Sequence, residues 1–419
     1  MNYVEAAATD IDLEKKAISC VGVSCDASAP CSIEEFTVPY DRLLFAVGTQ
    51  ISTFGVPGVK ENCCFLKDID DARKIRRAII SLFESANIAE VTDDEKKKLL
   101  TFSIIGTGPS GIEFAGELRD FIENEVPRYY PNLLRHVKIK LFDFAKTVLS
   151  PFDKKLQDAA VDHLTKEMVW RSDKIASWLP EDYHLIEIYL GNGVKEVKRD
   201  RIILNDGKVF PFGLCLWAGG NGPVPITLDL IKKLGKEQQD LQPVARGRLA
   251  VDPWMRVIGS KGDIFAVGDC TCFSCHDKSK ILPATAQVAS QQADYLAMVL
   301  SKGINMTIVE NQGTVIPPYR NKLESTIADS VASFAMNNDD FLAPFQYLDL
   351  GILAYIGGNE ALAQLKLLPN VTTGITGRLG FGIWQSVYMA KQLSLRNQLL
   401  ILFDWIKTKT FGRDITQLS

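Results

Sequence analysis

The strongest constraint on the fold is the stretch Ser103–Leu118, "SIIGTGPSGIEFAGEL". The apolar run Thr101–Ile105 reads as a buried strand that stops at a glycine. Gly106, Gly108 and Gly111 then supply G-x-G-x-x-G spacing, with Pro109 and Ser110 inside the turn and Ala115 one helical turn later. A helical rhythm continues to about Asn124 and is ended by Pro127 and Pro131. The first glycine permits the tight turn, and the second lets backbone approach a pyrophosphate. The third lets helix and strand pack closely, leaving the helix N-terminus facing the phosphates. Glycine spacing alone is a weak signal; strand, turn and helix together point to a dinucleotide site.

A second strand, Val137–Asp143, and a helix from about Phe152 complete a βαβα pattern, which implies a parallel, doubly wound sheet. Asp143 ends that strand, where a carboxylate can accept hydrogen bonds from the adenine ribose. It would repel a 2′-phosphate and so favour NADH over NADPH. Its distance from Gly111 exceeds the usual ~20 residues, and a strand-end cap is the alternative role. Glu113, in the helix's first turn, is either a contact to the nicotinamide end or a partner of the helix dipole.

The hundred residues before this turn are of a different kind. Asp10–Ile18 ("DIDLEKKAI") resembles a hairpin, and Tyr40–Val47 a buried strand ending at Gly48. Asp68–Ser85 has a helical stripe of Ile69, Ala72, Ile75, Ile79 and Leu82. Beyond the nucleotide region, residues 183–215 alternate like strands with a turn at "NDG", and Gly247–Asp269 reads strand, turn, strand. A long helix is expected from near Pro283.

A chain of 419 residues is long enough for two or three domains. A net charge of −4 gives no basic face for nucleic acid, so no nucleic-acid partner is expected. Nine cysteines, two of them adjacent at Cys63 and Cys64, suit reduced thiols better than a disulfide framework. "CTCFSCH" (Cys270–His276) has ligand-type residues but no second Cys/His pair at zinc spacing, so no metal is expected.

Several blocks together resemble the type II NADH:quinone oxidoreductases, single-chain flavoproteins of respiratory membranes, also called alternative NADH dehydrogenases. They are "YDRLLFAVGT", "IIGTGPSGIEFAGEL", "LFDFAKTVL", "LWAGGNGPVP", "GDIFAVGDC", "PATAQVASQQADYLA", "FQYLDLGILAYIGG" and the long run from Gly377 to Asp414. The last three separate this family from other two-dinucleotide flavoproteins. The resemblance implies an α/β fold in which a Rossmann-like NADH domain is inserted in an FAD domain, with a C-terminal helical segment on the membrane surface. It places an FAD-domain remnant at 1–62, the NADH domain at 63–222 and the second FAD part at 223–333. A quinone and membrane-association region follows at 334–419. Family members carry an earlier glycine turn for FAD, with no counterpart here. The chain therefore reads as N-terminally truncated, without its targeting segment.

The resemblance also distributes roles. Ala46, Gly48 and Thr49, at the end of one strand, and Gly268 and Asp269, at the end of another, fall in the family's FAD blocks. Ala218 and Gly219 of "WAGG" lie where NADH and flavin meet. Gln287 and Gln291, spaced i, i+4 on one helical face, form with Tyr388 the implied quinone site; on spacing alone the glutamines read as a surface stripe. Residues 374–413 combine short apolar runs with Trp384, Tyr388, Trp405 and a basic rim, which suits a helix lying in a membrane interface. A dimer-forming or core-capping helix pair is the alternative.

The implied activity takes hydride from NADH to FAD and then two electrons to a membrane quinone, without proton pumping. The implied location is peripheral, on the mitochondrial inner membrane, with a plastid membrane as the other choice; a homodimer is compatible. Two rival readings stay open: a flavin-deficient, membrane-associated NADH-binding remnant, and a disulfide-reductase-like flavoprotein.

Overall fold

The computed structural model describes residues 2–22, 35–166, 179, 183–273, 281–301, 344–368, 371–392, 394–413 and 415. The first strands are β1 (Ala6–Asp12), β2 (Ala17–Gly22), β3 (Glu35–Pro39), β4 (Leu43–Phe45) and β5 (Thr49–Ile51). Next come α1 (Val59–Asn62), β6 (Cys64–Phe65), α2 (Ile69–Ala86), α3 (Asp93–Leu99), β7 (Thr101–Ile105) and α4 (Pro109–Asn124). They lead to α5 (Val126–Tyr129), β8 (Lys138–Asp143), α6 (Lys154–Thr165) and β9 (Ile186–Leu190). Then follow β10 (Val194–Lys198), β11 (Arg201–Leu204), β12 (Val209–Pro211), β13 (Leu214–Trp217) and β14 (Asn221–Pro223). Three helices, α7 (Pro225–Lys233), α8 (Lys236–Asp240) and α9 (Gln242–Ala245), precede β15 (Leu249–Val251), β16 (Ile264–Ala266), β17 (Thr271–Phe273) and α10 (Ala286–Ser301). The C-terminal elements are β18 (Gly351–Gly357), β19 (Glu360–Leu368), β20 (Val371–Ile375), α11 (Gly377–Ala390) and α12 (Leu395–Phe411).

The chain divides into two compact units, residues 1–50 with 221–348, and residues 51–220 with 349–419. In the first unit, β1, β2 and β3 form an antiparallel meander, with Lys16 at φ 49° in the β1–β2 turn. Two parallel pairs, β4 with β16 and β15 with β17, lie in the same unit, and β14 pairs with β5 at its boundary. The sequence reads β15 and β16 as a strand–turn–strand, yet neither is the other's ladder partner. Their partners lie elsewhere in the chain, which no local pattern reveals. Ile11, Phe45, Leu249, Phe265, Leu296 and Phe345 join one buried cluster of this unit.

The second unit is built on a five-stranded parallel sheet in the order β6-β13-β7-β8-β9. All five residues of β7 are buried, as expected for a central parallel strand covered on both faces. Helix α2 starts at Asp68, whose side chain accepts from the Asp71 N–H, and buries Ile75, Ile79, Ile80, Phe83 and Ala86. That face corrects the expected stripe, because Ile69 is 67% exposed. Helix α3 is started by a reciprocal Thr92–Glu95 capping box.

The C-terminal elements pack on this nucleotide sheet's unit, not as a separate body. Ala354, Ile356 and Leu362 share a core with Ile104, Ile112 and Ala115. The antiparallel sheet β18-β19-β20 lies against α4, and Gly116 makes the contact close. A Cβ there would stand 2.6 Å from the Gly357 nitrogen. The unit boundaries fall at 50/51 and 220/221, whereas the sequence places them at 62/63 and 222/223. The cause is bonding of the linking segment to the nucleotide unit: Ser52 N–H to Gly220 O (3.0 Å) and Val197 N–H to Pro57 O (3.0 Å). The expected boundary at 333/334 lies outside the described residues.

Candidate functional site: a glycine-turn cavity

Strand β7 delivers the chain to Gly106, whose N–H donates to the Phe142 carbonyl at 2.8 Å. Its φ of 108° is disallowed to most side chains, and a Cβ would lie 2.5 Å from the Ala218 oxygen. At Gly111 a Cβ would collide with the Gly106 carbonyl oxygen, so the turn closes on itself only with glycine at both places. Gly108 differs: it is the N-cap of α4, provides no side-chain cap, and has open space where a Cβ would be. The first N–H groups of α4 thus remain available to an anion.

Above this turn lies a cavity of about 450 Å³. Gly106, Gly108, Pro109, Ser110, Asp143, Ala218 and Gly219 line it, as the sequence places them, while Gly111 stays in the wall behind. Phe54, Val56, Ile105, Phe142, Phe144, Asn192, Gly193, Val194, Trp217 and Gly220 complete the lining. Phe54 and Trp217 face each other with centroids 6.4 Å apart, and the Trp217 indole donates to Ser52 O at 2.8 Å. Asn192 and Gly193 could not be found from motif spacing, because they follow β9 at the far edge of the parallel sheet.

Asp143 is placed at the cavity, with its carboxylate already engaged. One oxygen accepts from the Thr107 N–H (2.6 Å) and hydroxyl (2.7 Å), the other from the Ala145 N–H (2.9 Å). The oxygen bonded to Ala145 retains a further lone pair for a ribose hydroxyl, while the other is filled by its two Thr107 donors. Thr107 is therefore a supporting residue that the sequence reading passes over. Glu113 does not line the cavity. Its carboxylate accepts from the Tyr355 N–H at 3.2 Å and from the Trp384 side chain, and burial pushes its carboxyl above the ordinary range. The polar partner of Glu113 is thus the C-terminal sheet and α11, two elements far downstream in sequence.

On the same helix, Asp120 accepts from the Tyr355 hydroxyl and, at 2.7 Å, from the Gly358 N–H. Burial, followed by the charge of Asp120, pushes the Tyr355 hydroxyl far above its ordinary pKa. An aromatic ladder leads away from this point: Tyr355–Trp384 (5.5 Å), Trp384–Tyr388 (5.4 Å, stacked) and Tyr388–Trp405 (6.4 Å). Tyr388 itself is 47% exposed.

In the other unit, β4 and β16 run parallel and end side by side, Val267 N–H donating to Phe45 O at 3.2 Å. Gly48 (φ 65°) and Gly268 (φ 78°) follow them, and a Cβ on Gly48 would meet nothing within 4 Å. Ala46 is exposed, Thr49 and Asp269 half-buried, and the Asp269 charge acts on the Arg248 guanidinium. The turn at Gly268 is held by Gln292, 1% exposed, whose side-chain oxygen accepts the Gly268 N–H at 2.7 Å. Cys270 donates to Phe45 and Val267 carbonyls, and burial lifts its thiol to about 11.

Gln287 and Gln291 do share one face of α10. Both side-chain amides donate to Leu348 O, at 3.4 and 2.9 Å, and Gln291 accepts the Leu348 N–H at 2.9 Å. The Tyr347 hydroxyl donates to Gln287 at 3.0 Å. Cys20, Cys63, Cys64, Cys215 and Cys270 are free thiols, but Cys272 is disulfide-bonded, which corrects the expectation of reduced thiols throughout. Among the described residues no cluster of His, Cys, Asp and Glu could hold a metal ion. Cys275 and His276 of "CTCFSCH" lie outside the described residues.

A parallel sheet with a glycine turn over a helix N-terminus, joined to a second unit of paired parallel strands, defines a dinucleotide-dependent oxidoreductase fold. Residues 1–172 and 173–293 match the pyridine nucleotide-disulphide oxidoreductase family, and residues 350–414 match the NDH2 C-terminal domain. The external alternative NADH-ubiquinone oxidoreductase of Yarrowia lipolytica mitochondria is 34% identical, over 99% of this chain and 69% of that protein. The internal alternative NAD(P)H-ubiquinone oxidoreductase A1 of Solanum tuberosum mitochondria is 33% identical, over 97% of this chain and 72% of that protein. The structure of NDH2 from Plasmodium falciparum in complex with NADH superposes with a TM-score of 0.78. It is 22% identical, covering 99% of this chain and 85% of that one. The chain belongs to the type II NADH dehydrogenases, the family of alternative NADH-ubiquinone oxidoreductases.

Proposed function

We propose that this protein oxidises NADH and reduces ubiquinone, with FAD as its resident cofactor. The observation that carries the reading is the cavity over Gly106–Gly111, shaped for a dinucleotide and bordered by Asp143. The ends of β4 and β16 fit a flavin nucleotide. Two positive-φ glycines present backbone there, open space surrounds Gly48, and Asp269 offers a carboxylate to hydroxyl groups. Ala46, Gly48, Thr49, Gly268 and Asp269 would hold the cofactor. When bound, FAD supplies the two-electron relay between a hydride donor and a quinone.

The protein's own share is positioning. The α4 N-terminus and the Gly108 backbone bind the pyrophosphate, and Thr107 keeps Asp143 turned toward the ribose. Ala218 and Gly219 form the wall nearest the nicotinamide. Gln287 and Gln291 bind the quinone carbonyls through the amide capacity that Leu348 leaves free. Their amides orient a carbonyl without bringing charge into an apolar site.

The membrane reading is supported by the outer faces of α11 and α12, where Leu379, Leu395, Leu400, Phe403, Ile406 and Phe411 are all exposed. No helix among the described residues is long and apolar enough to cross a membrane. In this reading residues 374–413 lie in the interface, with Arg378, Lys391, Arg396, Lys407 and Lys409 as its basic rim, while the Arg413 guanidinium is held by Glu117 at 2.6 Å. The curated relatives are named mitochondrial, and this chain is read as mitochondrial, peripheral to the inner membrane. A homodimer formed through the same apolar face is the second reading.

The test is NADH oxidation with a soluble ubiquinone analogue, comparing wild type with Gln287→Ala/Gln291→Ala. A raised quinone KM with unchanged NADH KM is expected; unchanged quinone kinetics would sink the quinone assignment. Flotation with anionic vesicles, against light scattering in their absence, separates the membrane from the dimer reading.

A further inference from the structure

Three thiols in the nucleotide unit take no part in the chemistry above: Cys63, Cys64 and Cys215. Strands β6 and β13 run parallel, with Cys64 opposite Leu216 and Phe65 opposite Trp217. One step back along each strand brings Cys63 beside Cys215, and their sulfurs lie 3.5 Å apart. Neighbouring residues on a strand point to opposite faces. Accordingly Cys63 packs with Phe142, Val197 and Trp217, whereas Cys64 packs into the core on the other side of the sheet.

We propose that Cys63 and Cys215 form a reversible disulfide site, a thiol switch set against the wall of the nucleotide cavity. Adjacent strands hold Cα atoms about 4.8 Å apart, inside the span a disulfide accepts, and bonding needs the sulfurs to close by about 1.5 Å. Cys63 is half-buried and open to a small oxidant, while Cys215 is 1% exposed and serves as the resolving thiol. With hydrogen peroxide the Cys63 sulfur attacks one peroxide oxygen, giving a sulfenic acid and one water. The Cys215 sulfur then displaces the hydroxyl, its proton leaving with that oxygen as a second water. Two thiols and one peroxide thus give one disulfide and two waters, and a dithiol reductant reverses the change.

The consequence for the cavity follows from chain position. Cys215 stands two residues before Trp217, whose ring already limits Gly219: a Cβ on Gly219 would lie 2.8 Å from the indole. Ile105, Phe142 and Trp217 belong to the cluster that holds both sulfurs, and all three line the cavity. In a close-packed cluster a shift at Cys215 is passed to that wall. This second step rests on reading the cavity as the NADH site; the crosslink does not.

The experiment treats the full chain with hydrogen peroxide, blocks residual thiols, and maps disulfide-linked peptides by mass spectrometry. A Cys63–Cys215 link is expected, cleaved by dithiothreitol, absent from Cys63→Ser and retained in Cys64→Ser. No link in wild type, a link through Cys64, or stable sulfinic acid at Cys63 would overturn the site. NADH titration of the same samples should show several-fold weaker binding after oxidation, restored by dithiothreitol. Cys63→Ser should be indifferent to peroxide. Unchanged affinity in fully crosslinked protein would overturn the switch while leaving the disulfide. Reduced protein that fails to bind NADH would instead overturn the nucleotide reading.

Discussion

Two glycine turns end parallel strands in this protein, and they need glycine for different reasons. At Gly106 and Gly111 the backbone folds onto itself and onto Ala218, so a single added carbon meets an oxygen. At Gly48 the surroundings are open, and only the φ of 65° asks for glycine. The first turn is demanded by the fold whatever it binds. The second is a surface of bare backbone whose shape makes sense when a ligand lies along it.

The sharpest way to break that contrast is Gly106→Ala. Positive φ and the Ala218 contact together should cost roughly 3 kcal/mol or more, lowering Tm markedly and abolishing NADH binding. Next, Asp143→Ala leaves the buried Thr107 N–H and hydroxyl unpaired, a loss of about 1–3 kcal/mol. NADH should bind more weakly and NADPH discrimination should shrink, measured as the ratio of their Kd values. Gly48→Ala should cost about 1–2 kcal/mol for its left-handed backbone with the fold intact. Flavin content by absorbance should fall more than stability does. Equal losses of stability at Gly48 and Gly106 would erase the distinction between the two turns.

A smaller effect probes the far side of α4. Burial raises the Glu113 carboxyl even though the Tyr355 N–H and the Trp384 side chain pull it down. The folded state then holds the proton more tightly than the unfolded chain. Its stability contribution is complete below the ordinary carboxylate range and is lost as pH rises through the raised value. Glu113→Gln cannot ionise, so its Tm relative to wild type should climb as pH rises above the ordinary carboxylate range. Smallest in stability is Tyr388→Phe, where an exposed hydroxyl is removed and stacking on Trp384 is kept. Tm should hold, and only a change in quinone KM would assign the hydroxyl a role.

What the sequence made legible divides along the same line. Strand β7 is found where the apolar run predicts it, and α4 ends at Asn124, because both are set by short-range pattern and steric necessity. The glycine positions of the cavity follow for the same reason. The pairing of β16 with β4, more than two hundred residues apart, leaves no local mark. The same holds for Glu113, whose partners sit on β18 and α11, and for Gln292, whose buried amide reads like any helical glutamine. Ile69 fits a helical stripe by spacing, yet falls on the open side because the core-facing set begins at Ile75.

Helix α4 belongs to two structures at once. Its first turn shapes the nucleotide cavity, and further along Glu113, Gly116 and Asp120 clasp the C-terminal sheet. A replacement helix from another dinucleotide enzyme, glycine spacing intact, would satisfy the first surface and fail the second. Any larger residue at Gly116 would wedge the sheet away, and an apolar one at Asp120 would strand the Gly358 N–H. This helix is therefore poor material for recombination: it can be inherited together with the last seventy residues of the chain, but hardly exchanged without them.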